Sequence, residues 1–410
     1  YRLLYFFKTC VEKIRLIMQK TKIWTPNFFL ICVTNFLLFF AFYALLPILP
    51  EYLLNNFKAG NTAIGVTLAL YAVGALLCRP FAGFLVDSVP RKKLYFITYF
   101  IFASMFCGYI FAGTIALIAL VRFLHGLSFG IVSTSGNTVA IDILPAERRG
   151  EGIGYFGVTT NLAFALGPMF GVFFKEFFGV ELLFRTSLGI GILGLILLAF
   201  LKVPLKIPAK KNTGLSLDRF FLTNAIPQFI SIIFVGLAYG PVINYMNLYA
   251  EEINLQSGTG YFYALIAVGM IASRLLTSPY VDKGYLLICV KIGFAILVLT
   301  YGAFSFFHTP VVFFGSALFV GIAHGFLCPG YQTMFVNMAR HNQRGTASST
   351  YLSGWDLGIG SGVFIGGIIA DYFNYATVFF SASIAVLVGF LLFLFIGDSH
   401  YKKNKLEGSN

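Results

Sequence analysis

Charged residues are scarce in this chain: Asp, Glu, Lys and Arg make up 11% of its 410 residues, whereas hydrophobic residues make up 58%. A soluble domain of this length needs far more charge to cover its surface. The apolar stretches are continuous rather than alternating with a period of two, which excludes an outer-membrane β-barrel. They reach the length of about 20 residues that crosses a bilayer as an α-helix. The sequence therefore predicts a polytopic helical membrane protein.

Cysteine is also rare, and the motifs of common enzyme classes are missing. The 6 cysteines show neither obvious pairs nor metal-ligand spacing, so we expect no disulfide and no metal site. The sequence contains no P-loop, no histidine-rich cluster and no Gly-x-Ser-x-Gly elbow. No Asn-x-Ser/Thr sequon occurs, which favours a bacterial protein. We therefore expect no cofactor and no enzymatic activity.

The formal net charge of +13 is distributed unevenly along the chain. Most of the 29 Lys and Arg residues lie in loops on one side of the predicted spans, such as Arg91–Lys93, whereas loops with Glu51 and Glu181 lie on the other. This asymmetry follows the positive-inside rule, so the charge indicates orientation and not a nucleic-acid partner. The even number of spans places both termini on the cytoplasmic side of a bacterial inner membrane.

The predicted spans form two groups of six, which indicates an all-α membrane protein built from two six-helix halves. Residues 1–22 mix Lys and Arg with apolar residues at helical spacing, which indicates a basic amphipathic helix on the membrane surface, or else a frayed tail. The predicted spans are 27–53, 61–88, 93–113, 115–142, 152–174, 183–203, 220–249, 258–282, 286–307, 311–338, 346–372 and 374–397. The domains are an N-terminal segment 1–22, an N-terminal bundle 23–203, a cytoplasmic linker 204–219, a C-terminal bundle 220–398 and a polar, disordered cytoplasmic tail 399–410.

An internal repeat relates the two halves at an offset of 195 residues. Two halves with the same orientation imply a pseudo-two-fold axis along the membrane normal, with a cavity between the halves. The offset maps Arg79 onto Arg274, Asp87 onto Asp282, Asn161 onto Asp356, Gly167 onto Gly362 and Gly171 onto Gly366. His125-Gly126 maps onto His324-Gly325 at an offset of 199, which we attribute to one short loop difference.

The loop Gly83-Phe-Leu-Val-Asp87-Ser-Val-Pro-Arg91-Lys92-Lys93 resembles the loop signature G-x-x-x-D-R-x-G-R-R of the major facilitator superfamily, with Ser88 and Pro90 as departures. The resemblance implies the major facilitator fold of 12 transmembrane helices in two pseudo-symmetric halves. It also implies a conformational latch between the halves, in which the Asp87 carboxylate faces the N-terminus of the eleventh helix. The alternative is a plain basic loop. The residues assigned to the latch are Gly83, Asp87, Arg91 and Lys92.

Two further stretches resemble motifs of the same superfamily. Arg122-Phe-Leu-His125-Gly126 is similar to its R-x-x-x-G element. A charge about a third of the way through the membrane costs about 2.5–3.5 kcal/mol. Arg122 should therefore face the cavity or a partner. The alternative is that carbonyl groups of a neighbouring helix accept its hydrogen bonds. In the fifth span, Ala163-x-x-x-Gly167-Pro168-Met-Phe-Gly171 resembles the G-x-x-x-G-P-x-x-G pattern of drug and metabolite antiporters, with Ala163 in place of the first Gly. The resemblance implies a bent, tightly packed helix of an exporter.

Asp356 is the one carboxylate that we place near the bilayer midplane. A carboxylate there could bind and release a proton near neutrality, or it could pair permanently with a polar neighbour. Its repeat mate Asn161 cannot titrate. Two further candidate binding residues are His125 and His324, which either relay protons or have a structural role. We expect Asn35, Gln228 and Trp355 to line the cavity.

These features predict a secondary active transporter that works by alternating access. The leading hypothesis is a proton-coupled exporter of a small amphipathic molecule or drug, acting as a monomer in the lipid bilayer with protons as coupling ion. An importer or facilitator of a small metabolite is the alternative, and a non-transporting sensor or intramembrane enzyme is a third. The first span offers Asn35 in its interior where many drug antiporters have an acidic residue, which argues against cationic drugs as substrates.

Overall fold

A computed structural model describes residues 22–145, 148–204, 221–255, 258–282, 284–340 and 343–406, and these residues contain helices but no strand. Almost all of the predicted segment 1–22 and of the linker 204–219 lies outside them. The helices are α1 (Pro26–Leu45), α2 (Leu49–Phe57), α3 (Asn61–Ser88), α4 (Arg91–Phe111), α5 (Ile115–Ile143), α6 (Arg149–Phe178), α7 (Val180–Phe200), α8 (Ile226–Glu252), α9 (Thr259–Asp282), α10 (Leu286–Phe306), α11 (Pro310–Asn337), α12 (Arg344–Tyr372), α13 (Tyr375–Leu392) and α14 (Asp398–Asn404).

The predicted all-α membrane fold is confirmed. Within the described residues, 11 helical segments are long and apolar enough to cross a membrane, and α9 is apolar over Thr259–Ser273. Side chains at several loop ends start the helices. Thr25 and Thr309 each accept a hydrogen bond from the first turn and precede a proline, which lacks the amide hydrogen that a first turn leaves unpaired.

Two predicted boundaries are wrong. The first predicted span, 27–53, is two helices, because Pro47 cannot donate a backbone hydrogen bond and the chain turns between α1 and α2. The tail that we expected to be disordered from residue 399 is helical to Asn404. Tyr401 is buried and accepts a hydrogen bond from the Asn337 side chain at 3.0 Å, so this helix packs onto the bundle.

Glycine contacts repeat between the two halves. In the N-terminal half, a Cβ atom on Gly126 of α5 would collide with the carbonyl oxygen of Tyr71 on α3. In the C-terminal half, a Cβ atom on Gly321 of α11 would collide with the carbonyl oxygen of Ile266 on α9. Both partners are shifted by the same 195 residues that relate the two halves of the sequence. Small residues therefore set the same close helix packing in each half.

The predicted offset of 199 for the two histidines is wrong. Gly130 approaches Ala75, and its counterpart Gly325 approaches Met270, again 195 residues further along the chain. His324 consequently corresponds to Phe129, and His125 has no histidine counterpart. The Gly that follows each histidine produced the false match, because both α5 and α11 carry glycines one turn apart.

The two ends of the bundle carry opposite charges. We call the end with Arg91, Arg148 and Arg340 the basic face, and the end with Glu51 and Glu251 the acidic face. The two halves meet through α3 against α12 and α6 against α9. Near the acidic face the contact is close enough that a Cβ atom on Gly367 would lie 2.5 Å from the carbonyl oxygen of Asn61. The halves therefore touch on the acidic side of the bundle.

Candidate functional site

A central cavity of about 120 Å³ lies between the halves and extends from the middle of the bundle towards the basic face. Ile153 and Ser348 line the end of the cavity that is nearer the basic face. Ile153 lies about one helical turn from the start of α6, and Ser348 about one turn from the start of α12. The walls are mostly aromatic and apolar, with Phe164 and Trp355 among them. Such a lining suits a small molecule with a large apolar surface and few polar groups.

Asp356 lies at the inner end of the central cavity, near the middle of α12. Its carboxylate oxygen Oδ2 accepts a hydrogen bond from Arg79 Nε at 2.9 Å and forms an ion pair with the same guanidinium group. The Arg79 side chain is 2% exposed and that of Asp356 is 14% exposed. Arg79 belongs to α3 and Asp356 to α12, so this buried ion pair joins the two halves of the molecule.

A smaller cavity of about 50 Å³, which we call the inner chamber, lies on the acidic side of Asp356. Asp356 lines both this chamber and the central cavity, together with Tyr43, Phe129 and Ile359. The remaining polar side chains of the chamber are Tyr71, Arg122 and Asn244. The carboxylate therefore stands between two cavities that lie towards opposite faces of the molecule.

Arg122 lines the inner chamber rather than the central cavity. Its Nη2 atom donates to the carbonyl oxygen of Leu68 at 3.2 Å, and its guanidinium lies 4.7 Å from the ring centre of Tyr71. The hydrogen bond to the Leu68 carbonyl is the alternative role that the sequence analysis allowed for Arg122, and it satisfies one nitrogen of the guanidinium group. Arg122 Nε has no hydrogen-bond partner among the described residues, so the side chain retains one free donor.

The two histidines have different surroundings. His125 is fully buried among aromatic rings, with its Nδ1 atom 3.0 Å from the hydroxyl of Tyr109 and its ring 4.2 Å from that of Phe102. It lines neither the central cavity nor the inner chamber. His324 borders a side pocket that also contains Asn161 and Cys328, both of which line the central cavity. Its Nδ1 lies 2.9 Å from the carbonyl oxygen of Val320 and therefore carries a proton.

Three of the other predicted binding residues line the central cavity, and one does not. Asn35, Asn161 and Trp355 are on its wall, and Asn35 is held by the hydroxyls of Thr159 and Thr160 at 2.9 and 2.8 Å. The prediction for Gln228 is wrong. Its side chain is fully buried and donates to the carbonyl oxygen of Gly397 at 2.9 Å, because it joins α8 to the segment after α13.

Two of the predicted latch residues, Arg91 and Lys92, make contacts within the N-terminal half. Arg91 forms an ion pair with Asp142 at 2.5 Å, and Lys92 donates to the carbonyl oxygen of Ala199 at 3.0 Å. The side chain of Asp87 lies outside the described part of the chain, as does the environment of Gly83. The latch towards α12 thus stays a prediction.

The predicted bend motif brings α6 against α1. A Cβ atom on Gly171 would collide with the carbonyl oxygen of Ala44, and one on Gly167 would lie 2.7 Å from the Cβ of Tyr43. Pro168 lies inside α6 between these two contacts. The glycines therefore hold α6 tightly on the helix that carries Asn35 and Tyr43 into the central cavity.

Several bonds close the acidic face between the halves. The Asp371 carboxylate at the end of α12 accepts hydrogen bonds from the backbone amides of Asn61 and Thr62, at 2.9 and 2.7 Å. It thereby caps the N-terminus of α3, where unpaired amides and the helix dipole favour an anion. Tyr375 donates to Asn61 Oδ1 at 2.7 Å, and Asn247 donates to the carbonyl oxygen of Pro47 at 3.1 Å.

Sequence reasoning missed Arg79, Tyr71, Asn244 and Asp371 as members of the site. Arg79 was noticed only as a marker of the repeat, although a charge inside an apolar span is itself a signal for a buried partner. Asp356 sits in the eleventh span and Arg79 in the second, two spans that the predicted latch brings together at one end, but the sequence does not show which of their side chains meet inside the membrane. Tyr71 and Asn244 carry no pattern that separates them from ordinary polar residues of membrane helices.

Comparison with known proteins gives one family. The family model of the Major Facilitator Superfamily matches residues 31–360 and, in a second match, 286–410. The chain is 25% identical over 327 residues to the uncharacterized MFS-type transporter YtbD of Bacillus subtilis (strain 168), covering 76% of this chain and 80% of that protein. It is 24% identical over 395 residues to the quinolone resistance protein NorA of Staphylococcus aureus (strain MSSA476), covering 92% and 98%. The crystal structure of the nucleoside transporter NupG superposes with a TM-score of 0.69 at 16% identity, covering 92% of this chain and 100% of that one.

Proposed function

Because this chain belongs to the Major Facilitator Superfamily, whose members are membrane transporters, we propose that it exports a small amphipathic organic molecule by proton-coupled alternating access. The position of Asp356 carries this proposal. One carboxylate borders the central cavity on one side and the inner chamber on the other, and it is held by Arg79 of the opposite half. A group in that position can exchange protons with either side while its charge state alters the bond between the halves.

In this proposal the described conformation is the one after proton release. Asp356 is ionised and paired with Arg79, the central cavity extends to the basic face, and the halves touch at the acidic face. The basic face is the cytoplasmic side of a bacterial inner membrane by the positive-inside rule. Substrate enters there, the halves rock, and substrate leaves at the acidic face. A proton then binds Asp356 and removes its pairing with Arg79, which allows the return to the inward-facing state.

Export is favoured over import by the relatives, since NorA is named for quinolone resistance. Import or facilitated transport of a metabolite is the second candidate, because the nucleoside transporter NupG has the same fold. The aromatic central cavity suits an amphipathic solute in either case. The direction of coupling separates the two candidates: an antiporter accumulates its solute in the acidic compartment, and a proton symporter accumulates it in the alkaline one.

The test uses purified protein in liposomes with an imposed pH gradient. A panel of amphipathic compounds, a quinolone among them, is first screened for thermal stabilisation of the protein. We expect bound compounds to accumulate in the acidic compartment with the wild type. Asp356→Asn should abolish this accumulation and retain exchange of labelled for unlabelled compound, because exchange needs no proton.

Asp398→Asn is the matched control, since that carboxylate pairs with Lys291 and lines neither cavity. It should leave pH-driven accumulation unchanged. Full pH-driven accumulation by Asp356→Asn would refute the proton role of that carboxylate. A wild type that moves none of the compounds it binds would refute the transport proposal itself. We also propose that the protein acts as a monomer, since each chain contains both halves of the cavity.

A further inference from the structure

Three buried polar atoms without partners belong to side chains that line one cavity, the inner chamber. Arg122 Nε, the Tyr71 hydroxyl and Asn244 Oδ1 have no hydrogen-bond partner among the described residues, and each side chain lines the chamber. Arg122 is 3% exposed and Asn244 is 2% exposed. Buried polar groups in native proteins almost always have a partner, so a cluster of three around one cavity indicates that the cavity contains one.

The donors and acceptors of the chamber identify that partner. Arg122 Nε can only donate, and Asn244 Oδ1 can only accept. The assignment of the Asn244 oxygen is fixed, because its Nδ2 atom donates to the carbonyl oxygen of Gly240 at 2.9 Å and a flipped amide would face two acceptors towards each other. A halide or a carboxylate would bind Arg122 but leave Asn244 Oδ1 unsatisfied. Water both donates and accepts, and so satisfies all three groups.

The size of the chamber agrees with a water cluster. A cavity needs roughly 10–15 Å³ to hold one water, so the inner chamber, at about 50 Å³, has room for a small cluster of waters. The apolar part of the wall includes Leu46, Leu68 and Val363, and Tyr43, Phe129 and Ile359 stand between the chamber and the central cavity. The waters would therefore be confined by apolar side chains, with hydrogen bonds only to the polar groups and to Asp356.

We propose that the inner chamber holds a cluster of ordered waters that gives Asp356 a proton-exchange route separate from the substrate cavity. This inference rests on the proposed proton role of Asp356. The chamber lies on the acidic side, so its waters join the outside solution when the halves part there. A water bonded to the carboxylate then gives it a proton and regains one from the next water, and the last water of the chain takes a proton from the outside solution. That solution therefore supplies the proton that neutralises Asp356, the waters end unchanged, and Arg79 loses its ionised partner.

The charged and titratable groups around the chamber fit this role. Asp356 comes from α12, Arg122 from α5, Tyr71 from α3 and Tyr43 from α1, while Arg79 of α3 pairs with the Asp356 carboxylate. Asn244 of α8 is neutral at every pH. The fixed positive charge of Arg122 disfavours a metal cation such as Na⁺ resident in the chamber, whereas a proton can pass along hydrogen-bonded waters without any cation residing there.

The first test is structural. A structure of the full chain in lipid, at a resolution that shows ordered solvent, should contain water density bonded to Arg122 Nε and Asn244 Oδ1. A dry chamber would refute the proposal. So would density that follows the halide when chloride is exchanged for bromide, because it would identify an anion site. This readout does not depend on whether the protein transports a tested compound.

The second test compares the same substitution in the two cavities. Asn244→Leu removes the acceptor and fills the inner chamber, whereas Asn137→Leu alters the central cavity alone. We expect Asn244→Leu to slow pH-driven accumulation about tenfold, the size expected from losing one buried hydrogen bond, and to leave compound binding and exchange unchanged. Asn137→Leu should instead weaken compound binding.

Tyr71→Phe serves as a milder variant, because it removes one hydroxyl and keeps the ring beneath Arg122. It should also slow pH-driven accumulation without changing exchange. Wild-type pH-driven rates in both Asn244→Leu and Tyr71→Phe would refute the separate route. Loss of exchange in the wild type would instead count against the transporter proposal, so the two failures are distinguishable.

Discussion

Arg79 and Asp356 show what a single residue contributes at the centre of this molecule. An isolated carboxylate or guanidinium near the middle of a bilayer costs several kcal/mol, and pairing the two reduces that cost. The pair is almost fully buried and joins helices that belong to different halves. Its strength therefore influences both the stability of the fold and the ease with which the halves separate.

A double-mutant cycle on this pair tests that view. Arg79→Met alone leaves a buried carboxylate without its cation, and should lower the free energy of unfolding by about 3–5 kcal/mol at neutral pH. Arg79→Met combined with Asp356→Leu should recover most of that loss, because no charge then remains unpaired. Unfolding in detergent micelles, followed by tryptophan fluorescence, measures both.

A control for the cycle is Arg185→Met with Glu181→Leu, an exposed pair within α7 that should contribute less than about 1 kcal/mol. Additive effects of Arg79→Met and Asp356→Leu would contradict an energetic role for the pair.

The sequence identified Asp356, Arg122 and Asn161 as candidates because polar residues inside apolar spans are costly and stand out. It could not assign them to their cavities. Arg122 and His125 are three residues apart on α5, yet Arg122 borders the inner chamber and His125 is enclosed by aromatic rings. That distinction depends on which neighbouring helix faces each side of α5, and helix neighbours are a property of the packed bundle.

Among the secondary-structure elements, α3 and α12 form the contact that the proposed cycle would open. Asp371 at the end of α12 caps the start of α3 through two backbone amides. The latch predicted from the sequence has the reverse arrangement, with Asp87 at the end of α3 and the start of α12 as its target. One antiparallel helix pair would thus carry a carboxylate cap at each face, and each cap would stabilise closure of its own face.

Removing the cap at the acidic face should shift the conformational equilibrium. Losing a side-chain cap costs about 1 kcal/mol, so Asp371→Ala should raise the population open at the acidic face about fivefold. Spin labels on Asn55→Cys and Glu251→Cys, one on each half, report the separation across that face. Glu181→Ala is the control, because its ion pair with Arg185 lies within α7. An unchanged distance distribution in Asp371→Ala would rule out the cap as a latch.

The elements themselves were largely predictable, because about 20 consecutive apolar residues leave few alternatives to a membrane helix. The exceptions have local causes. Pro47 divides the first span, and amphipathic residues such as Tyr401 continue the last helix beyond the apolar stretch. The predicted offset between α5 and α11 was wrong, because a His-Gly pair recurs in the two helices one turn out of register. Only the contacts in the structure show which glycines correspond.

At the scale of the whole molecule, the charges on the two faces and the position of the cavities define a direction. The central cavity lies on the basic side of Asp356 and the inner chamber on the acidic side. If the basic face is cytoplasmic, substrate and proton reach the same carboxylate from opposite compartments, which is the arrangement an antiporter needs. The orientation in the membrane therefore determines whether the proposed mechanism can work.

Locking the acidic face should stop this cycle without damaging the central cavity. In a variant without native cysteines, a short thiol-reactive cross-linker between Asn55→Cys of α2 and Glu251→Cys of α8 would join two helices that contact each other across the halves. We expect binding of a compound from the basic side to persist, because the central cavity lies on the other side of Asp356. Exchange across the membrane should fall to the background of empty liposomes and recover when the cross-link is cleaved.

The same reagent on either single-cysteine variant controls for modification alone. Exchange that continues through the cross-linked protein would mean that solute crosses without separation of the halves at the acidic face, and alternating access would then be the wrong mechanism for this fold.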